Sequence, residues 1–296
     1  MVFLIAACRP AQPTTGPDLP PQGETQATAP DSTETAPVPT ATVTATAEPA
    51  AARVNDVEIS VREYEAELAR FEAAMTELEK TVAPDDARRR VLDSLVDEIL
   101  LAQAALQSGY ETTEADLDAR LAQSAADLGG EAAFQTWLDT NRYTLDDYRQ
   151  ALRRSLAAGY QRDQVVAAVP TEVEQVHARQ ILVLGQEQAN TVYQQLESGA
   201  DFATLVLQYD AVTGGDLGWF PQGYLTVAAL EEAAFSLQPG EYSEVIASEF
   251  GYHILQVLDR RVEPLSPDAR LTLQRQVLQD WLAEQRSNST IEIFLP

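Results

Sequence analysis

Hydrophobic positions in this chain keep a helical spacing from about residue 60 to residue 169 and change to strand-like alternation after Pro170. Tyr64, Leu68, Phe71, Met75 and Leu78 recur at three- and four-residue steps behind Ser60, a residue type that caps helices, and so predict a first helix. Leu92, Leu95, Ile99 and Leu106 predict a second, entered through Pro84-Asp85-Asp86 and ending near Gly109. Thr113 opens a third, Gly129-Gly130 breaks the chain, and Glu131 to Asp139 gives a short fourth. Thr144-Leu145-Asp146-Asp147 has the form of a capping box for a fifth, with Tyr148, Leu152 and Leu156 on one face. Ahead of these helices, Arg53 to Ile59 alternates around Asn55-Asp56, the pattern of a strand and turn.

Beyond Pro170 the expected order is mixed. His177 to Leu184 predicts a strand, then Glu187 to Glu197, Phe202 to Tyr209 and Ala228 to Leu237 predict helices, and Tyr242 to Ala247 and Tyr252 to Leu258 predict further strands. A last helix runs from Pro267 to about Gln285 with Leu271, Leu278, Trp281 and Leu282, and Thr290 to Leu295 alternates like a strand. A lone C-terminal helix has nothing to cover on a small α+β domain. It is therefore expected to fold back on the N-terminal helices, with the last strand pairing near Val54 to Ile59.

A length of 296 residues allows about two domains, each burying its own core, and an apolar fraction of 45% agrees. Asp and Glu number 46 against 20 Lys and Arg, a formal net charge of −26. Nucleic acid and anionic lipid are poor partners for such a chain, because phosphate binding needs clustered cations. The run Arg88-Arg89-Arg90 reads as a solvated helix face. With one cysteine and two histidines, no intramolecular disulfide and no His/Cys metal cage can form, no hard-cation loop is recognisable, and no cofactor is expected. Ser248 lies five residues before His253, but nothing around it resembles a nucleophile elbow, so a hydrolase is not indicated.

From Arg9 to about Ala51 the chain is Pro, Thr, Ala and acidic residues, the composition of an extended tether. In front of it, Met1 to Cys8 ends in Ile5-Ala6-Ala7-Cys8, which resembles the lipobox of bacterial lipoproteins and implies lipidation of Cys8. No later segment reaches the roughly 18 to 20 apolar residues of a membrane span, so any membrane attachment is expected through that cysteine.

The most specific signals lie between His177 and Arg261: V-H-A-R-Q-I-L-V, G-G-D-L-G-W-F (Gly214 to Phe220), E-E-A-A-F-S-L-Q-P-G (Glu231 to Gly240) and F-G-Y-H-I-L (Phe250 to Leu255). Together they resemble the parvulin family of peptidyl-prolyl cis-trans isomerases, specifically the extracytoplasmic foldases of the SurA and PrsA type. The helical segment, with V-N-D-V-E-I near its start and T-L-D-D-Y-R-Q-A-L at Thr144 to Leu152, is similar to the SurA-type chaperone domain. The resemblance implies an α+β chain. An all-helical chaperone domain (52–169) is completed by a C-terminal helix and strand (263–296), and a parvulin-like, FKBP-like domain of a small antiparallel sheet and helices (170–262) is inserted between them.

The resemblance also implies that Leu217, Leu225 and Leu230, with Phe250, seat a proline ring, and that His253 is the family's second histidine. Gln180 stands where the family has its first histidine, and Asp210 is the acid available in a loop, Tyr209 to Gly214, that is shorter than in relatives. His177 cannot replace the missing histidine, because three residues along a strand puts it on the opposite face. The implied partners are unfolded secreted proteins and their Xaa-Pro segments. Isomerase activity is expected to be weakened by Gln180; the alternatives are a non-catalytic holdase that uses the domain to bind peptide, and a structural protein of the cell envelope.

Overall fold

The computed structural model describes residues 48–295; the Cys8 motif and nearly all of the expected tether lie outside them. Strands β1 (Ala50–Val54) and β2 (Val57–Ser60) are followed by helices α1 (Val61–Glu77), α2 (Pro84–Gln107), α3 (Glu114–Asp127), α4 (Glu131–Thr140) and α5 (Leu145–Ala167). The caps are the anticipated ones. Ser60 Oγ accepts from Glu63 N at 3.1 Å, and Thr113 and Thr144 form reciprocal boxes with Asp116 and Asp147. The chain continues through β3 (Glu172–Val183), α6 (Gln186–Glu197), α7 (Phe202–Tyr209), β4 (Asp216–Pro221), α8 (Ala228–Ser236), β5 (Ile246–Ser248), β6 (Gly251–Pro264), α9 (Pro267–Ser287) and β7 (Ile291–Ile293).

The C-terminal segment does return to the start. β7 pairs antiparallel with β1, Val54 opposite Ile291, in a sheet of order β2-β1-β7. Leu278, Trp281 and Leu282 of α9 pack on Leu101, Ala102, Ala105, Ala157 and Ala158, where small residues on α2 and α5 let the helices approach. The Arg286 guanidinium donates to Asp97 at 2.7 Å and Asp93 at 3.2 Å, fixing α9 to α2. On the other side of the bundle, Arg154 of α5 reaches Glu63 at 2.6 Å and Glu98 at 3.2 Å and so ties α5 to α1 and α2. Burial pushes the Glu98 carboxyl up, against the pull of Arg154.

Several expectations need correction. Ala50 and Ala51 belong to β1 rather than to a tether, Ala51 fully buried, because small residues suffice for a strand that is hydrogen-bonded on both sides. Leu78 and Leu106 are exposed: each sits at the C-terminal end of its helix, past the neighbour its stripe packs on. β4 was not foreseen, since Gly and Pro lower its strand propensity and only pairing with β3 holds it extended. Of Tyr242 to Ala247, only Ile246 onward joins a strand. Ser243 interrupts the ladder, its hydroxyl oxygen accepting Leu255 N at 2.9 Å in place of a backbone carbonyl.

Asp147 joins two jobs, capping α5 and pairing with Arg62 of α1 through bonds of 2.7 and 3.0 Å. The Arg62 guanidinium, aided by Thr144, holds its carboxyl down at about 2. A depressed carboxyl stabilises the fold fully above its ordinary value near 3.8, and that contribution disappears as pH falls toward 2. Asp147→Asn should therefore cost about 1 kcal/mol at neutral pH and progressively less as pH falls through about 2, so that urea midpoints of variant and parent converge in acid. Parallel stability curves at all pH values would contradict this role.

Candidate functional site

The second sheet has the order β4-β3-β6-β5, and its two faces carry separate cores. Ile181, Val183 and Ile254 pack under α6 and α7. Val176, Ala178, Leu255 and Val257 meet Phe220, Leu230 and Ala234 of β4 and α8. By alternation, Gln180 and His253 fall on this second face, one step beyond Ala178 and Leu255.

His253 is 3% exposed, and both of its ring nitrogens are satisfied. Nδ1 lies 2.7 Å from Gln180 Oε1, and Nε2 lies 2.6 Å from Ser248 Oγ. Ser248 ends β5, and the tight turn to β6 folds its hydroxyl back over the ring, where it also accepts from Phe250 N at 3.0 Å. Burial lowers the imidazole pKa below the ordinary histidine value, so the ring is neutral at neutral pH.

Leu217, Leu225 and Leu230 belong to one cluster with Phe220 and Phe235. Leu230 is buried, whereas Leu217, Leu225 and Phe235 are half-buried and give the cluster an accessible apolar surface. Two glycines position it. At Gly215, φ is +68° and a Cβ would collide with the Gln180 carbonyl oxygen, while Gln180 N donates to Gly215 O at 2.8 Å. Only glycine lets the chain entering β4 lie flush against β3 there, which fixes where Leu217 joins the cluster. At Gly223, φ is +87° and a Cβ would stand 2.6 Å from Gln276 Oε1 and 3.0 Å from Leu273 Cδ2. The turn bearing Leu225 thus rests on α9. From its other side the Glu231 carboxylate accepts from the backbone N–H of Gly223, Tyr224 and Leu225 at 2.7, 2.9 and 3.0 Å.

Other expected site residues lie apart. Asp210 caps the end of α7 and spends its carboxylate on its own loop, accepting from Val212 N at 3.0 Å, Thr213 N at 2.9 Å and the Thr213 hydroxyl. These bonds, the hydroxyl's first, hold the carboxyl below its usual range, and none reaches Gln180 or His253. Phe250 sits in the β5–β6 turn, 53% exposed and outside the leucine cluster. Phe235, edge-on to Phe220 at 6.2 Å, adds aromatic surface to the cluster. His177 bonds Asp216 at 2.8 Å, lies against Trp219 and makes no bond to the pair. Ser248, Glu231 and Phe235 were not anticipated as site residues; the signal for Ser248 was hairpin arithmetic, a polar residue five positions before His253 across a tight turn.

A polar depression of about 640 Å³ lies elsewhere, on the three-stranded sheet, lined by Arg53, Asn55, Asp56, Glu58, Thr290 and Glu292. Arg53 there is already paired with Glu58 and Glu292. Among the described residues no cluster of His, Cys, Asp and Glu could hold a metal ion, and no helix is long and apolar enough to cross a membrane.

The His–Gln pair and leucine surface of the antiparallel sheet lie within one family match, and most of the helices ahead of it within another. Residues 156–259 match the Rotamase family, a PPIC-type PPIASE domain, and residues 39–162 match a SurA-like N-terminal domain. The chain thus carries both. A foldase protein PrsA from Caldanaerobacter subterraneus subsp. tengcongensis is 32% identical over 211 residues, 66% of this chain and 64% of its own length. A chaperone SurA from Methylobacillus flagellatus is 36% identical over 148 residues, 43% of this chain and 34% of its own. This chain therefore spans about a third of that SurA relative and just under two thirds of PrsA. The crystal structure of PrsA from Bacillus cereus overlays with a TM-score of 0.45 at 22% identity, covering 79% of this chain and 87% of that one.

Glu231 predicts a separable effect on the leucine surface. Glu231→Ala leaves the N–H groups of Gly223, Tyr224 and Leu225 without their acceptor and should expose them to hydrogen exchange about tenfold faster. Glu231→Gln, which keeps one acceptor oxygen, should fall between. Unchanged protection of these amides in the alanine variant would show that α9 alone holds the turn.

Proposed function

We propose that the protein is an extracytoplasmic foldase whose helical part, residues 52–169 with 263–296, holds unfolded polypeptide while residues 170–262 bind and isomerise Xaa-Pro segments. The observation that carries this reading is the buried His253, hydrogen-bonded to Gln180 on the sheet face that carries the Leu217, Leu225, Leu230 surface. Rotation about an Xaa-Pro bond crosses a barrier of about 18–20 kcal/mol because it breaks amide resonance, and uncatalysed exchange takes tens to hundreds of seconds. No nucleophile or proton acceptor is required. A site need only hold the proline ring on an apolar surface and offer polar groups that fit the twisted amide better than the planar one. The leucine surface meets the first need, each 100 Å² of ring surface it covers contributing about 2.5 kcal/mol. The His253–Gln180 pair meets the second.

Gln180 in place of the family's histidine argues for reduced activity, since an amide lacks the shape of the imidazole. The same observation favours the second reading, a holdase that keeps the pocket for binding alone. Asp210, fully engaged in its loop, is assigned a structural part. Unfolded secreted proteins are the proposed clients, and lipidation of Cys8 would keep the foldase at a membrane surface behind its tether.

Isomerisation of a proline-containing tetrapeptide, followed with the intact chain, decides between the readings. Acceleration over the uncatalysed rate that falls about tenfold or more in His253→Ala and rises in Gln180→His supports the isomerase. A parent and variants all at the uncatalysed rate would leave the holdase.

A further inference from the structure

The hydrogen-bond chain Ser248–His253–Gln180 has two possible directions, and the groups around it select one. In the first direction, the Ser248 hydroxyl donates to His253 Nε2, and Nδ1–H donates to Gln180 Oε1. In the second, the Gln180 amide is turned, its N–H donates to Nδ1, and Nε2–H donates to Ser248 Oγ. Ser248 decides between them. Its oxygen already accepts from Phe250 N at 3.0 Å, and the other protein acceptor for its proton is Gly251 O, at 3.4 Å. The second direction would load two donors onto that oxygen and leave its proton a poor partner. The first places the hydroxyl proton on a nitrogen 2.6 Å away.

With the direction set, Gln180 Oε1 is committed to the ring, and the carboxamide NH₂ of the half-buried Gln180 makes no hydrogen bond to any described residue. Gln180 shares the sheet face of the leucine surface, one step beyond Ala178. Resting on the foldase reading above, we propose that His253 is locked as its Nδ1–H tautomer with Ser248 as the positioning residue, and that the Gln180 carboxamide NH₂ is the catalytic hydrogen-bond donor to the bound prolyl amide. The site then works with one fixed donor and does not pass a proton along the chain. Gln180 is therefore a donor of its own kind at this site and not simply a histidine lost.

Two measurements on the intact ¹⁵N-labelled protein test this. Long-range ¹H–¹⁵N correlation at pH 8 should show Nδ1 of His253 protonated and Nε2 bare. Ser248→Ala should reduce the population of that tautomer, and Ser248→Thr should restore it. Finding Nε2 protonated in the parent overturns the proposal, whatever the isomerase activity. The second measurement uses Gln180→Glu, which keeps an oxygen acceptor for Nδ1–H but removes the NH₂ donor. It should retain the Nδ1–H tautomer at pH 8 while proline isomerisation falls roughly ten- to a hundredfold. Full activity in Gln180→Glu overturns the donor role. The tautomer is read without substrate, so a parent with the Nδ1–H ring and no isomerase activity would sink the foldase enzymology and not the lock, and the remaining donor claim would be read from shifts of the Gln180 NH₂ resonances on adding a Xaa-Pro peptide. Absence of those shifts would overturn it.

Discussion

The pairing of β3 with β6 is the constraint on which the site depends. Its register sets Leu182 opposite His253 and Gln180 opposite Leu255, so that the two polar side chains are diagonal neighbours on one face. A slip of one residue would turn His253 toward α6 and α7 and leave a neutral imidazole among aliphatic side chains with no partner. The bulge between His177 and Ala178 is part of the same constraint, because it changes the register once between the outer and inner halves of β3.

Burying an imidazole at this point demands a donor and an acceptor in fixed places, and the hairpin and the neighbouring strand supply one each. Ser248 reaches Nε2 because a two-residue turn, Glu249-Phe250, returns the chain directly over it; Gln180 reaches Nδ1 because its strand lies alongside. The apolar surface next to the pair is held with the same economy. Glu231 gathers the N–H groups of the Leu225 turn from within the domain, while Leu273 and Gln276 of α9 meet that turn at Gly223. The closing helix of the bundle therefore touches the part of the sheet domain that carries the leucines, which places the bundle and the leucine surface on one connected framework.

The helices were legible in the sequence because amphipathic spacing and local caps act within a few residues: Ser60, Thr113 and Thr144 cap where expected. The return of α9 and β7 was legible from an unsatisfied apolar face. Leu217, Leu225, Leu230, Gln180 and His253 could be singled out only through resemblance, since nothing in their spacing alone marks a site. Ser248 was weighed only as a nucleophile and Glu231 only as part of a motif, because their roles are made through space, by a turn and a helix start that aim them at ring and backbone atoms. β4 escaped because two glycines hide a strand that exists only by pairing.

The central claim is that one surface, made of Leu217, Leu225, Leu230 and Phe235 and bordered by His253 and Gln180, accepts a prolyl ring. Titrating a methyl-labelled sample of the intact chain with a Xaa-Pro peptide, and with the same peptide carrying alanine for proline, tests it most directly. The account predicts saturable shifts of those leucine methyl groups and of His253 with the proline peptide, and much weaker ones with the alanine peptide. Shifts confined to the helical bundle, or equal responses to both peptides, would contradict it.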